Sequence, residues 1–269
     1  MKTRAITGLI FIIVLVAATL LNAYVFAIFF SFLGVLAARE FFLICKTEQA
    51  RPLIGLGLLT SGVWAVLFSA YFLGLIDWRM LGIGIPFISL LFIASLYLKR
   101  THPFADLALT LLGIWYGTIP FLFFIGLGFI QGTAGTFNPY IPMGFLIVLW
   151  SNDTGAYLAG RAFGKTKLFE RISPNKTWEG FFGGMALAVL IALNLQQYFG
   201  SLDKTQWSCV AIIIAVFGTL GDLVESLLKR SLGIKDSGTL LPGHGGILDR
   251  FDGLLIAAPL VYVLLMFLI

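Results

Sequence analysis

The 269-residue chain carries 59% hydrophobic and 12% charged residues with a net charge of +5, and its mean hydropathy is +0.98. Soluble domains carry about 25% charged residues, so the composition excludes a soluble globular protein and calls for an all-α polytopic integral membrane protein. Its 2 cysteines, Cys45 and Cys209, lack C-x-x-C spacing and offer neither a disulfide framework nor a zinc site.

Apolar stretches long enough to cross ~30 Å of hydrocarbon at 1.5 Å per residue recur along the chain. They predict nine transmembrane helices over residues 5–22, 24–45, 53–76, 80–98, 104–130, 140–163, 178–200, 206–229 and 250–269. Lys2 and Arg4 precede the first run as in a secretory signal, but apolar character continues through Phe32 after a short break at Asn22, so the first helix is expected to stay uncleaved. With nine spans, all but Arg79 and Lys204 of the 18 Lys and Arg residues fall on one side. That side is cytoplasmic by the positive-inside rule, which puts the N-terminus in the cytoplasm and the C-terminus at Ile269 outside. One false or missing span would scramble every later loop, so the count and the charge asymmetry support each other. The basic face is suited to anionic lipids and nucleotides, and no nucleic-acid partner is expected.

Residues 1–138, with the first five helices, read as a structural or oligomer-forming region. Arg39 and Glu40 at the foot of the second helix, and Asp106 at the start of the fifth, read as helix-end polar groups or a salt bridge. Gly55, Gly57, Gly82, Gly84, Gly126 and Gly128 suit close helix packing or an oligomer face. Residues 139–269 are expected to hold the last four helices and a catalytic cavity facing the cytoplasm.

In the sixth helix, Ser151-Asn152-Asp153-Thr154-Gly155 puts a carboxylate about 15 Å into the membrane. A charge there costs roughly 2.5–3.5 kcal/mol, so Asp153 calls for a cavity and a partner. The connection 160–184 is long and basic. Arg161, Lys165, Lys167 and Arg171 read as topology determinants, whereas Ser173-Pro174-Asn175-Lys176-Thr177 reads as a rigid turn into a helix N-terminus able to bind an anion, with Glu179 as a local cap. The eighth helix ends with Asp222, Glu225, Ser226 and Lys229 on one face. Asp222 and Lys229 are about 10 Å apart along the axis, too far for a direct pair, so Asp222 needs another cation.

The stretch LLPGHGGILDRFDG, residues 240–253, brings Asp249 and Asp252 to one face of the ninth helix. Two aspartates at a helix start also suit an N-cap and its first turn, each contributing roughly 0.3–1 kcal/mol. If Asp222 faces the same point, two carboxylates 4 Å apart repel by about 4 kcal/mol at an effective dielectric of 20, which a divalent metal would relieve. Aspartate oxygens suit Mg²⁺ shared with phosphates. Gly243, Gly245 and Gly246 leave main-chain N–H groups open to an anion, and His244, Lys229, Arg230, Lys235 and Arg250 supply positive donors.

Residues 226–253, SLLKRSLGIKDSGTLLPGHGGILDRFDG, resemble the signature of the phosphatidate cytidylyltransferases, also called CDP-diacylglycerol synthases, of the bacterial type. Residues 151–168 and 173–184 resemble further segments of that family, and the first five helices match in outline. The resemblance implies a transferase of phospholipid biosynthesis, which makes CDP-diacylglycerol and pyrophosphate from CTP and phosphatidic acid. It implies a requirement for Mg²⁺, K⁺ as a second cation, a homodimer, and a place in the inner (cytoplasmic) membrane with the active site facing the cytoplasm. On that basis Asp222, Asp249 and Asp252 are expected at the metal. Lys229, Arg230, Asp249 and Arg250 are expected to act in catalysis. Asn152, Asp153, Ser173, Asn175, Lys176, Ser226, Lys235, Asp236, His244, Gly245 and Gly246 are expected to bind substrate. Two other readings stand beside this one: a CTP-dependent lipid kinase, which would release CDP, and an ion-coupled transporter, which would show paired repeats that the sequence lacks.

Overall fold

The described residues of the computed structural model are 2–48, 50–131, 135–238 and 245–269, the side chains of 2–6 excepted, and they form nine helices and one hairpin. The helices are α1 Lys2–Leu20, α2 Ala23–Ile44, α3 Ile54–Phe72, α4 Trp78–Tyr97, α5 Pro103–Leu127, α6 Tyr140–Phe163, α7 Trp178–Phe199, α8 Lys204–Ser231 and α9 Leu248–Leu268. They stand at the nine expected places, and 7 of them are long and apolar enough to cross a membrane. The other two are α1, whose described apolar part is Thr7–Leu20, and α6, where Asn152, Asp153 and Arg161 interrupt the apolar run. The protein is an all-α, multi-pass membrane protein.

Local chemistry sets the helix ends. The break after α1 is a cap, because the Asn22 side chain accepts a hydrogen bond from Val25 N at 2.9 Å. Thr177 caps α7 through Gly180 N at 3.1 Å. That helix ends on Gly200 at φ 62°, a left-handed position that favours glycine. Asp203 and Gln206 form a reciprocal capping box at the start of α8. One π-turn interrupts α5 at Ile114–Thr118 and another interrupts α8 at Ile214–Gly218.

Packing divides the chain into two units, Met1–Phe137 with Asp236–Arg250, and Asn138–Lys235 with Phe251–Ile269. The segment 236–250, read from sequence as part of the C-terminal half, packs with the first unit. The core of that unit is aromatic: Phe26, Phe30, Phe41, Phe42, Phe121 and Phe124 are fully buried. Gly117 lets α5 approach the backbone of α2, since a Cβ there would stand 2.5 Å from Ala38 N. Asp106 behaves as a helix-end group and accepts from Arg51 N at 2.5 Å.

In the second unit α6 and α7 pack through small residues, and a Cβ on Gly184 would lie 2.7 Å from Asn152 O. Trp207 of α8 is fully buried against Gly144. Farther along, α8 meets α9 with almost no side chain between them. A Cβ on Gly221 would lie 2.5 Å from Asp252 O, and one on Gly253 would lie 3.5 Å from Gly218 Cα. This contact places the polar ends of the two helices side by side.

Candidate active site

Because Gly221 admits the α9 backbone, its neighbour Asp222 comes close to Asp252, and Glu225 joins them one turn along α8. One oxygen from each of Asp222, Glu225 and Asp252 lies within 4.8 Å of the others. At an effective dielectric of ~20, each pair repels by about 3.5 kcal/mol before solvent screening. Two lysines answer this charge. Lys176 Nζ stands 2.5 Å from Asp222 and Lys229 Nζ stands 2.8 Å from Glu225. Three carboxylates against two ammonium groups leave one negative charge, and three hard oxygen donors suit a divalent cation.

The two pairs answer one question that the sequence left open and add a partner to two residues expected at substrate. The cation that Asp222 needs is Lys176, which was expected to meet the nucleotide. Lys229 pairs one turn back with Glu225, as its i, i+4 spacing permits. Glu225, read only as part of a polar stripe, is buried within the carboxylate group. Ser226 Oγ donates to Asp222 Oδ1 at 3.3 Å.

The segment expected to be a rigid turn is a strand. Residues Lys167–Phe169 (β1) and Ser173–Thr177 (β2) pair antiparallel, with Lys167 opposite Thr177 and Phe169 opposite Ser173. Pro174 is tolerated there because a two-stranded ribbon has open edges. Lys167 Nζ donates to Pro174 O at 2.6 Å, so this lysine closes the hairpin as well as contributing to the basic face. The Glu179 carboxylate also reaches outside its own helix: it accepts from Lys165 N at 3.2 Å and Thr166 N at 3.1 Å, tying the hairpin to α7. Ser173 and Lys176 are half-buried, and Asn175 is exposed.

Higher on α6, Asn152 is buried and its Oδ1 accepts no hydrogen bond among the described residues. Asp153 is exposed on the next position, within range of the charges of Asp222 and Lys176. Arg230 and Lys235 are exposed in the second unit, and Asp236 and Arg250 in the first.

Asp249, Gly245 and Gly246 have a setting of their own in the first unit. Asp249 Oδ2 accepts from Gly246 N at 2.9 Å and Ser237 N at 2.8 Å, and Ser237 Oγ lies 2.9 Å from it. Gly245 has φ +83°, and a Cβ there would stand 2.5 Å from Asp249 Oδ2. Asp249 is inside the first turn of α9, not at its N-cap, since the helix already begins at Leu248. The cap comes from Glu40, whose carboxylate accepts from Ile247 N at 2.8 Å and Leu248 N at 3.1 Å. Glu40 is therefore more than a helix-end group, and among the described residues it has no salt-bridge partner. No local signal marks it, because its partners, two main-chain amides and the Ser237 hydroxyl, lie about 200 residues away. His244 and Gly243 lie outside the described residues.

Comparison with known proteins covers the whole chain. Residues 2–268 match the sequence model of the Cytidylyltransferase family. The phosphatidate cytidylyltransferase of Staphylococcus epidermidis is 37% identical over 98% of this chain and 99% of its own length. That of Staphylococcus aureus is also 37% identical over 98% and 99%, and that of Staphylococcus haemolyticus is 35% identical over the same shares.

Proposed function

Because the chain belongs to the cytidylyltransferase family, we propose that it transfers the cytidylyl group of CTP to phosphatidic acid, giving CDP-diacylglycerol and pyrophosphate. The observation that carries this reading is the full-length likeness to enzymes named for that reaction. The carboxylates of Asp222, Glu225 and Asp252, with Lys176 of β2 and Lys229 of α8 against them, support the reading.

A phosphate oxygen of phosphatidic acid attacks the α-phosphorus of CTP, one P–O bond forms, and the bond to the β-phosphate breaks. The nucleophile is already an anion, so the protein needs no strong general base, and its task is to position two polyanions and neutralise their charge. Lys229, Arg230, Lys235 and Arg250 are placed on chain segments rich in positive charge and hold phosphates by charge-assisted hydrogen bonds. Ser173, Asn175 and Lys176 offer the nucleotide a polar strand edge, with Lys176 leaving Asp222 to reach a phosphate. Asn152 contributes a neutral acceptor, Asp153 and Ser226 line the same polar region, and Asp236 lies beside Lys235.

Asp222, Glu225 and Asp252 would hold a divalent cation, read as Mg²⁺, which would supply charge neutralisation to the triphosphate when bound. On the family resemblance, Asp249 is assigned to the metal, and His244, Gly245 and Gly246 to substrate. K⁺ as a second cation and a homodimer rest on the family resemblance alone. The concentration of Lys and Arg on one side of the predicted topology supports a site that faces the cytoplasm, in the cytoplasmic membrane.

Purified protein with CTP, phosphatidic acid and Mg²⁺ is expected to release pyrophosphate only when all three are present. Release of CDP in its place would replace this reading with a lipid kinase. No turnover from folded protein would remove it altogether.

A further inference from the structure

The start of α9 is capped from another helix. The first N–H groups of a helix have no partner within it, and a side chain at the N-cap normally accepts from them. Here the residue before Leu248 is Ile247, which has no acceptor side chain. Glu40, on α2 and 8% exposed, supplies both carboxylate oxygens instead: Oε2 accepts from Ile247 N at 2.8 Å and Oε1 from Leu248 N at 3.1 Å. Among the described residues no Lys or Arg pairs with it.

The same carboxylate reaches Asp249 through the loop. Ser237 Oγ donates to Glu40 Oε1 and also lies 2.9 Å from Asp249 Oδ2, while Ser237 N and Gly246 N donate to Asp249. Gly246 has no space for a side chain, because a Cβ would run into the Glu40 carboxylate, and a Cβ on Gly238 would lie 2.9 Å from Glu40 Oε2. The loop residues on both sides of Glu40 are thus shaped around it.

We propose that Glu40 is a positioning residue for the transfer reaction: by capping α9 from α2 and lying against Ser237 with Asp249, it fixes the main chain that carries Asp249, assigned to the metal, and Arg250, assigned to the phosphates. This inference rests on the function proposed above. It requires acceptors on both oxygens, which glutamine lacks, since an amide nitrogen in either place would face an N–H or O–H donor. Aspartate keeps both acceptors but withdraws them by one methylene.

The order of activities therefore separates positioning from packing. Wild type, Glu40→Asp and Glu40→Gln are compared in detergent for kcat, for KM of phosphatidic acid, and for amide hydrogen exchange along residues 245–252. The expected order of kcat is wild type, then Glu40→Asp, then Glu40→Gln at about 100-fold below wild type, the scale of an ångström of misplacement. KM should stay within about threefold, and exchange should rise at the start of α9 but not in α7. An isosteric Glu40→Gln that matches or exceeds Glu40→Asp, or unchanged exchange, would overturn the proposal. Should Glu40→Gln not fold, Glu40→Asp decides alone: selective exchange with reduced kcat supports the proposal, and wild-type values refute it. The exchange measurement needs no turnover, so it stands even if the wild type proves inactive with CTP and phosphatidic acid, an outcome that would sink the reaction instead.

Discussion

Two groups of carboxylates, one in each unit, are neutralised in different ways. Glu40 and Asp249 are held by main-chain N–H groups and the Ser237 hydroxyl. Asp222 and Glu225, beside Asp252, are held by the ammonium groups of Lys176 and Lys229. Backbone donors are fixed by the fold and cannot leave without unfolding it. A lysine on a flexible stem can swing away and yield its carboxylate to another cation. The first group is built to stay in place and the second to exchange partners.

Substitutions in the two groups should therefore have opposite balances of stability and activity. Asp252→Asn removes one of three mutually repelling carboxylates, so activity should fall about 10³-fold while the melting temperature in metal-free detergent holds or rises. Glu40→Gln, by contrast, should lower the melting temperature. If Asp252→Asn lost as much stability as Glu40→Gln, the distinction between the groups would fail.

Gly221→Ala tests the backbone contact that assembles the second group. Its Cβ would stand 2.5 Å from Asp252 O, so the helices must part at a cost of about 1–3 kcal/mol. The expected result is loss of both turnover and thermal stability, and a variant with wild-type activity would show that the carboxylates do not depend on this contact.

Lys176→Met isolates the exchange step. With its ammonium gone, Asp222 has no competitor for a divalent ion, so Mn²⁺ binding measured without substrate should tighten, while KM for CTP rises about tenfold through loss of one charge-assisted hydrogen bond. Weaker Mn²⁺ binding would mean that Lys176 orders the group instead of guarding it. The smallest effect is expected from Asn22→Ala, which removes the cap on Val25 N. Denaturation should register about 1 kcal/mol with kcat unchanged, since this cap touches neither carboxylate group.

Much of the fold was legible in sequence because hydropathy runs act locally. The span 140–163 coincides with α6, and the Asn22 break proved to be a cap. Asp222 and Asp252 were legible as partners because charges inside apolar helices demand company. Lys176 as the partner of Asp222 was not, because the two are 46 residues apart and the hairpin that presents the lysine reads as a proline turn. Glu225 was read only as one member of the polar face it shares with Asp222, Ser226 and Lys229, since nothing in that spacing tells a buried carboxylate from an exposed one. Glu40 left no trace, since two of its donors are main-chain N–H groups, which have no residue code, and the third, Ser237, is 197 residues away.

The central claim is transfer of the cytidylyl group, and the position of a label tests it most directly. With CTP labelled at the α-phosphorus, lipid-soluble product should acquire label in proportion to phosphatidic acid consumed, and with CTP labelled at the γ-phosphorus it should acquire none. Label entering lipid from the γ-phosphorus, or from neither position while the protein remains folded, would contradict the account.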